Sequence, residues 1–352
     1  MTNELKRYLK NKKNLEDAFL YNQGHEHDSC GVGFVASTDG KQRREVVQGG
    51  IDALKAVWHR GAVDADGKTG DGAGILTQIP YNFFDDEIAK TGHEKRDEPL
   101  GIGMMFLPRN DYAALEKCRT IIESELLDHG YYIYGWRQVP INNSVIGEKA
   151  NSTRPEIEQV MFVNNIERDK DFDFAKELYL VRRRLEKRIA KQQINGFYVC
   201  SLSFESIIYK GLFLAEQLSI FYPDLANEEF ISSFAVFHQR YSTNTIPSWG
   251  LAQPVRLLAH NGEINTISGN TNWMRNHQTR ITTEIFGDDS EQVKPIIEKN
   301  VSDSSALDAA FELYVRAGRS VPLVKTLLIP EAWSKRSELM PIEHRNMYEF
   351  SN

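Results

Sequence analysis

Three residue types at separated positions in this chain could together do acyl-transfer chemistry on an amino-acid amide. Cys30 opens the run Cys30-Gly31-Val32-Gly33-Phe34-Val35-Ala36, directly after a polar stretch, residues 1–29. Arg240 stands among hydroxyls in His238-Gln239-Arg240-Tyr241-Ser242-Thr243, and an Asn-Gly pair follows in His260-Asn261-Gly262-Glu263. A thiolate can attack an amide carbonyl, a guanidinium can grip a carboxylate through two parallel hydrogen bonds, and Asn-Gly donors can meet an oxyanion. Cys118 and Cys200 sit in amphipathic or strand-like contexts and are expected to be small core residues.

Other strings fail on context. Gly31-Val32-Gly33-Phe34-Val35-Ala36 spells a dinucleotide fingerprint, but such a fingerprint follows a buried strand, and His25–Ser29 is polar. His25, His27, Asp28 and Cys30 lack any zinc-site spacing. The segment Asp64–Gly74 lacks the glycine and glutamate of a calcium loop, and Val63 stands where a phosphate-cradling loop needs its first glycine. It is expected to be a tight glycine loop lining a pocket. Arg182-Arg183-Arg184 is expected on a solvated helix face.

The elements that must position these residues follow from periodicity. Helices are predicted over 4–20, 44–58, 112–128, 172–192, 268–280 and 303–316, with Val47, Ile51, Leu54 and Trp58 on one buried face of the second. Strands are predicted over 30–36, 75–79, 101–107, 197–204, 206–214, 232–239 and 255–260. On this reading Arg240 and Asn261 both stand at strand ends. Strands and helices cluster without strict alternation, which predicts an α+β arrangement with mixed or antiparallel sheets.

The chain has 352 residues and a net charge of −7, so no global basic field would draw nucleic acid or an anionic membrane. No apolar run reaches the roughly 18 residues a bilayer span needs. Three cysteines are too few, and odd in number, for a disulfide framework, and a reducing, cytoplasmic setting is expected. The first 29 residues lack the apolar core of a secretory signal.

The chain resembles the class II glutamine amidotransferases of the N-terminal nucleophile hydrolase type, and among them the amidotransferase domain of the glutamate synthase large subunit. The resemblance is carried by Cys30–Ala36, His59-Arg60-Gly61-Ala62, Gly70-Asp71-Gly72-Ala73-Gly74, His238–Thr245 with Ile246-Pro247-Ser248-Trp249, His260–Asn265 with Ser268-Gly269-Asn270, and Ser302-Asp303-Ser304. It implies a four-layer α-β-β-α sandwich. It also implies a propeptide-like leader over 1–29, removed before Cys30, and an amidotransferase domain over 30–352 that is a C-terminally truncated piece of a much longer chain. Cys30 would be the nucleophile, Asn261 and Gly262 the oxyanion pair, Arg240 the grip on the substrate α-carboxylate, Asp303 the partner of its α-ammonium, and Thr243 a further pocket residue. L-glutamine is then the substrate and a synthase domain of the same parent chain the recipient of ammonia, with a reductase small subunit as a further partner. No metal or cofactor is expected in this segment; FMN and an iron–sulfur cluster are implied for a full-length relative. Two other readings stay open: an amidotransferase feeding a different synthase, and a non-catalytic regulatory module that keeps its leader.

Overall fold

The computed structural model describes residues 3–18, 30–240, 245–281, 283–299, 301–330 and 340–351. They fall into two compact units, Met1–Cys30 and Gly31–Asn352. In the first, helix α1 (Asn3–Asp17) is polar over most of its length and leaves Leu9 and Leu15 exposed. Residues 24–29, which read from the sequence as an exposed loop, and Thr243 lie outside the described residues.

The second unit is built on two antiparallel four-stranded sheets, as the α+β reading predicts. One has the order β1 (Val32–Ala36), β8 (Phe234–Gln239), β2 (Ala73–Gln78), β7 (Ser206–Gly211). The other runs β4 (Tyr131–Gln138), β5 (Glu156–Asn164), β3 (Leu100–Leu107), β6 (Tyr198–Ser203). Every residue of β3 is buried, because the strand has packed layers on both faces and so reads as continuous apolar sequence. On one face, Met105, Leu107 and Val160 meet helices α4 (Tyr112–Asp128) and α5 (Phe174–Lys191) through Ile122, Val181 and Leu185. On the other, Ile102, Met104 and Phe106 join a core shared with Ile75, Tyr209 and Phe237 of the first sheet. Helix α2 (Arg44–Ala56) enters that core through Val47, Ile51 and Leu54, and α3 (Tyr81–Lys90) through Phe84 and Ile88.

Four expectations are corrected. Trp58 is not on the buried stripe; the helix gives way to a tighter turn over Trp58–Arg60 and the indole is 61% exposed. Arg182 and Arg183 are not on a solvated face but buried, paired with Glu186 and Glu312. Residues 255–260 form no strand, because the Asp308 and Gln253 side chains rather than a neighbouring strand take the amides of 256–258 and 260. The loop Asp64–Gly74 does not line the site cavity. Asp66 closes it by accepting from the Lys68 and Thr69 amides, and it packs against Phe213 and the 147–150 segment.

Strands β4 and β5 and helix α3 were not foreseen. In β5, Glu158 and Gln159 interrupt the apolar pattern yet are buried, because Arg119 holds the first and Tyr209 and Arg137 the second. In β4, the pairing shifts around Gly135, whose φ of 137° lies where glycine is favoured.

Candidate active site

The first sheet delivers two sides of the site through one strand pairing. Val32 of β1 lies opposite His238 of β8, and one residue further the Gln239 amide donates to the Gly31 carbonyl at 2.6 Å. The start of β1 and the end of β8 are therefore neighbours. A Cβ on Gly31 would lie 2.4 Å from the Gln239 carbonyl oxygen and 3.3 Å from Asn261 Oδ1, so only glycine fits there, and the Asn261 amide packs directly on it. Cys30 is joined to Gly31 by a peptide bond; it falls in the other unit, where it is exposed.

Arg240 leaves the end of β8 with its amide bonded to the Gly72 carbonyl at 2.8 Å. Its guanidinium is buried. Nη2 donates to Thr245 Oγ1 at 2.7 Å, and Nη1 finds no acceptor among the described residues. Burial pulls its pKa down and the charges of Asp71 and Asp303 oppose that. A buried guanidinium with an open donor is poised for an anion, since an unmet charged donor is costly to bury.

The Asn261-Gly262 pair rides on a loop tied by side chains. The Gln253 amide brackets His260, accepting from its N–H at 2.8 Å and donating to its carbonyl at 2.9 Å. His238 Nε2 donates to the same carbonyl at 3.1 Å. Burial, opposed by that hydrogen bond and reinforced by Arg240 and His260, pushes the His238 ring down to about 4. It is a neutral clamp at ordinary pH. A Cβ on Gly262 would lie 2.8 Å from His260 Nε2, so a side chain there would press on the ring.

The third side is the N-terminus of helix α7 (Asp303–Arg316), which follows α6 (Ile267–Gln278) in the chain. Ser302 caps it by accepting from the Ser305 amide at 3.2 Å, and Asp303 is its first residue, where a carboxylate is favoured by the helix dipole. Asp303 accepts from the Ile264 amide at 3.1 Å and the Ser304 amide at 2.7 Å. His260 Nδ1 and Ser304 Oγ lie 3.0 Å apart.

Arg240, Asn261, Gly262 and Asp303 thus border one cavity of about 550 Å³. A guanidinium and a carboxylate on its wall match the two charges of a free amino acid, and the Asn-Gly pair lies beside the residue that follows Cys30. Sequence reasoning missed Thr245 and Gln253. Thr245 was within reach as a hydroxyl near Arg240; nothing local to Gln253 advertises its bracket. Cys118 and Cys200 are buried in different cores, and burial pushes their thiols up to about 11 and about 12, as inert core residues.

A family model described as class-II glutamine amidotransferases matches residues 30–352. Among curated proteins, the chain is 57% identical over 338 residues to the glutamate synthase [NADPH] large chain of Azospirillum brasilense, covering 96% of this chain and 22% of that one. It is 40% identical over 331 residues to the large chain of the same name from Bacillus subtilis (strain 168), covering 94% and 22%. It is 41% identical over 329 residues to the chloroplastic ferredoxin-dependent glutamate synthase of Spinacia oleracea, covering 93% and 20%. The chain therefore spans about a fifth of the length of these relatives.

Proposed function

The chain belongs to the class-II glutamine amidotransferases, and from that premise we propose that it hydrolyses L-glutamine to glutamate and ammonia through a thioester on Cys30. The observation that carries this reading is the cavity that unites an open, buried Arg240 donor with Asp303 and the Asn261-Gly262 pair. Arg240 takes the α-carboxylate and Asp303 the α-ammonium, so the side-chain amide points away from both. Thr243 is assigned as a further pocket residue on the family resemblance alone.

Processing between Ser29 and Cys30 would give the thiol a base. A free thiol has a pKa of about 8.5 and an α-amine about 7.7–8.0, so at neutral pH an amine on the same residue can take the thiol proton. This is supported by the family match starting at residue 30. The sulfur then bonds the carbonyl carbon of the side-chain amide, Cδ, while its oxygen becomes an oxyanion, stabilised by the Asn261 amide and the Gly262 N–H. The C–N bond breaks as the ammonium returns its proton, ammonia leaves, and water hydrolyses the thioester to glutamate.

In a longer parent chain the ammonia would pass to a synthase domain for glutamate formation, as the names of the relatives suggest. A reductase subunit, FMN and an iron–sulfur cluster belong to that larger assembly. The cluster does not fit the residues here, because Cys118 and Cys200 are buried apart. No helix among the described residues is long and apolar enough to cross a membrane; a cytoplasmic setting is part of the same proposal.

Cys30→Ala is expected to abolish glutamine hydrolysis while far-UV circular dichroism stays unchanged. Intact-mass analysis of the wild-type chain is expected to show loss of residues 1–29. A variant with wild-type turnover would overturn the assignment, and an uncleaved, inactive chain would favour the regulatory module.

A further inference from the structure

The segment that carries Asn261 and Gly262 is held from below by a residue that the reaction does not touch. Asp308, in the second turn of α7, is almost fully buried at 1% exposure. Its Oδ1 accepts from the Leu257 amide at 2.8 Å and the Leu258 amide at 3.1 Å, and its Oδ2 from the Arg256 amide at 3.3 Å. These amides have no strand partner, so the carboxylate does the work that a sheet edge would do. Within the same turn the Val255 amide donates to the Leu258 carbonyl at 2.9 Å. Two residues later Gln253 and Ser304 fix His260, and the Ile264 amide returns to Asp303. One helix therefore holds the loop at three levels, through Asp308, Ser304 and Asp303.

We propose that Asp308 is a positioning residue for glutamine hydrolysis: it fixes the height of the Asn261-Gly262 donors relative to Asp303, and so registers the oxyanion site against the bound amino acid. The inference rests on the glutaminase reading above and adds to it. Donors at an oxyanion must sit within a few tenths of an ångström of their productive place, and a 1 Å displacement of a catalytic group can cost ~10²-fold in rate. Two anchors on one rigid helix, five residues apart, are a direct way to hold that spacing. The setting is charged. Arg256, on the loop itself, donates to Glu186 and the Val199 carbonyl, and Arg182 of α5 pairs with Glu186 and Glu312. Glu312 and Arg182 act on Asp308 from α7 and α5, and Arg256 from the loop.

Asp308→Asn separates positioning from bulk. The amide is isosteric and its oxygen can keep the Leu257 and Leu258 bonds, but its NH₂ would face the Arg256 N–H, donor against donor. In the full chain we expect kcat for L-glutamine to fall on the order of 10–100-fold with KM within about threefold. Amide hydrogen exchange over 256–262 should rise, with β3 and β8 unchanged. Unchanged exchange over 256–262 would overturn the proposal. So would raised exchange with kcat within about twofold of wild type, or a loss expressed in KM alone. If the asparagine variant does not fold, Asp308→Glu, whose carboxylate is one methylene longer, is read in the same way. Failure of the glutaminase reading would show separately, as hydrolysis that Cys30→Ala does not abolish, and the exchange result would still decide whether Asp308 holds the loop.

Discussion

Among the described residues, Arg240 is a buried cation given one neutral partner, Thr245, and one open donor. Burying a guanidinium in that state costs free energy that a carboxylate from outside would recover. Lysine cannot reproduce the fork, so Arg240→Lys is expected to raise KM for glutamine about 10–100-fold, the equivalent of about 1.5–3 kcal/mol for a charge-assisted hydrogen bond, with a smaller change in kcat. An unchanged KM in steady-state kinetics would contradict the assignment. Gly262 makes a second test at the same scale. Its Cβ position lies 2.8 Å from His260 Nε2, so Gly262→Ala must push the ring or the loop aside. The expected result is a fall in kcat on the order of 10²-fold, read by ammonia release. These residues were legible because their chemistry is written in their types: a thiol, a guanidinium, an Asn-Gly pair. Gln253 and Asp308 were not, because an amide or carboxylate that serves backbone groups looks like any polar residue until the fold shows its partners.

At the scale of elements, the sequence misled where polar residues replace a ladder or a core. Leu257–Ala259 is apolar and reads as a strand, yet Asp308 takes the Leu257 and Leu258 amides. The arginines of α5 read as solvated, but Glu186 collects Arg182, Arg183 and Arg256 at 2.8–3.2 Å. Burial raises the Glu186 pKa, and the three arginines outweigh it and hold the carboxyl well below its usual range. Glu186→Ala would leave three half-neutralised guanidinium groups against the helix. It is expected to destabilise the unit by about 3 kcal/mol, measured as a lowered urea midpoint at unchanged slope. A neutral outcome would mean that Glu312 and solvent take over the pairing. Helices α4, α5 and α7 were placed to within a residue or two.

For the whole molecule, the α+β class was legible from the clustering of strands and helices, whereas the sheet orders were not, since β8 joins β1 and β2 across long stretches of intervening chain. Stability against pH is also a property of the whole, and two buried groups pull it in opposite directions. His238 has its pKa pushed from 6.5 to about 4, so stability from keeping it neutral is present above pH 6.5 and lost as pH falls towards 4. Asp308, raised mainly by burial and next by Glu312 to about 6, takes a proton more readily folded than unfolded, so its contribution grows as pH falls below 6. The destabilisation caused by His238→Gln should therefore shrink by about 2–3 kcal/mol between pH 7 and pH 4.5, read from urea unfolding at both. An equal penalty at the two pH values would show that the ring is not held neutral. The pairing of Gly31 with Gln239 has one more consequence. Two working edges meet at the ends of adjacent strands that pair from Val32–His238 to Ala36–Phe234, with β2 held on the other side of β8, so the loops elsewhere between the strands close like a purse whose size does not alter its clasp. Insertions and deletions there can accumulate over evolutionary time without retuning the catalytic distances, whereas one residue gained or lost between 30 and 36, or between 234 and 240, would turn the machinery inside out.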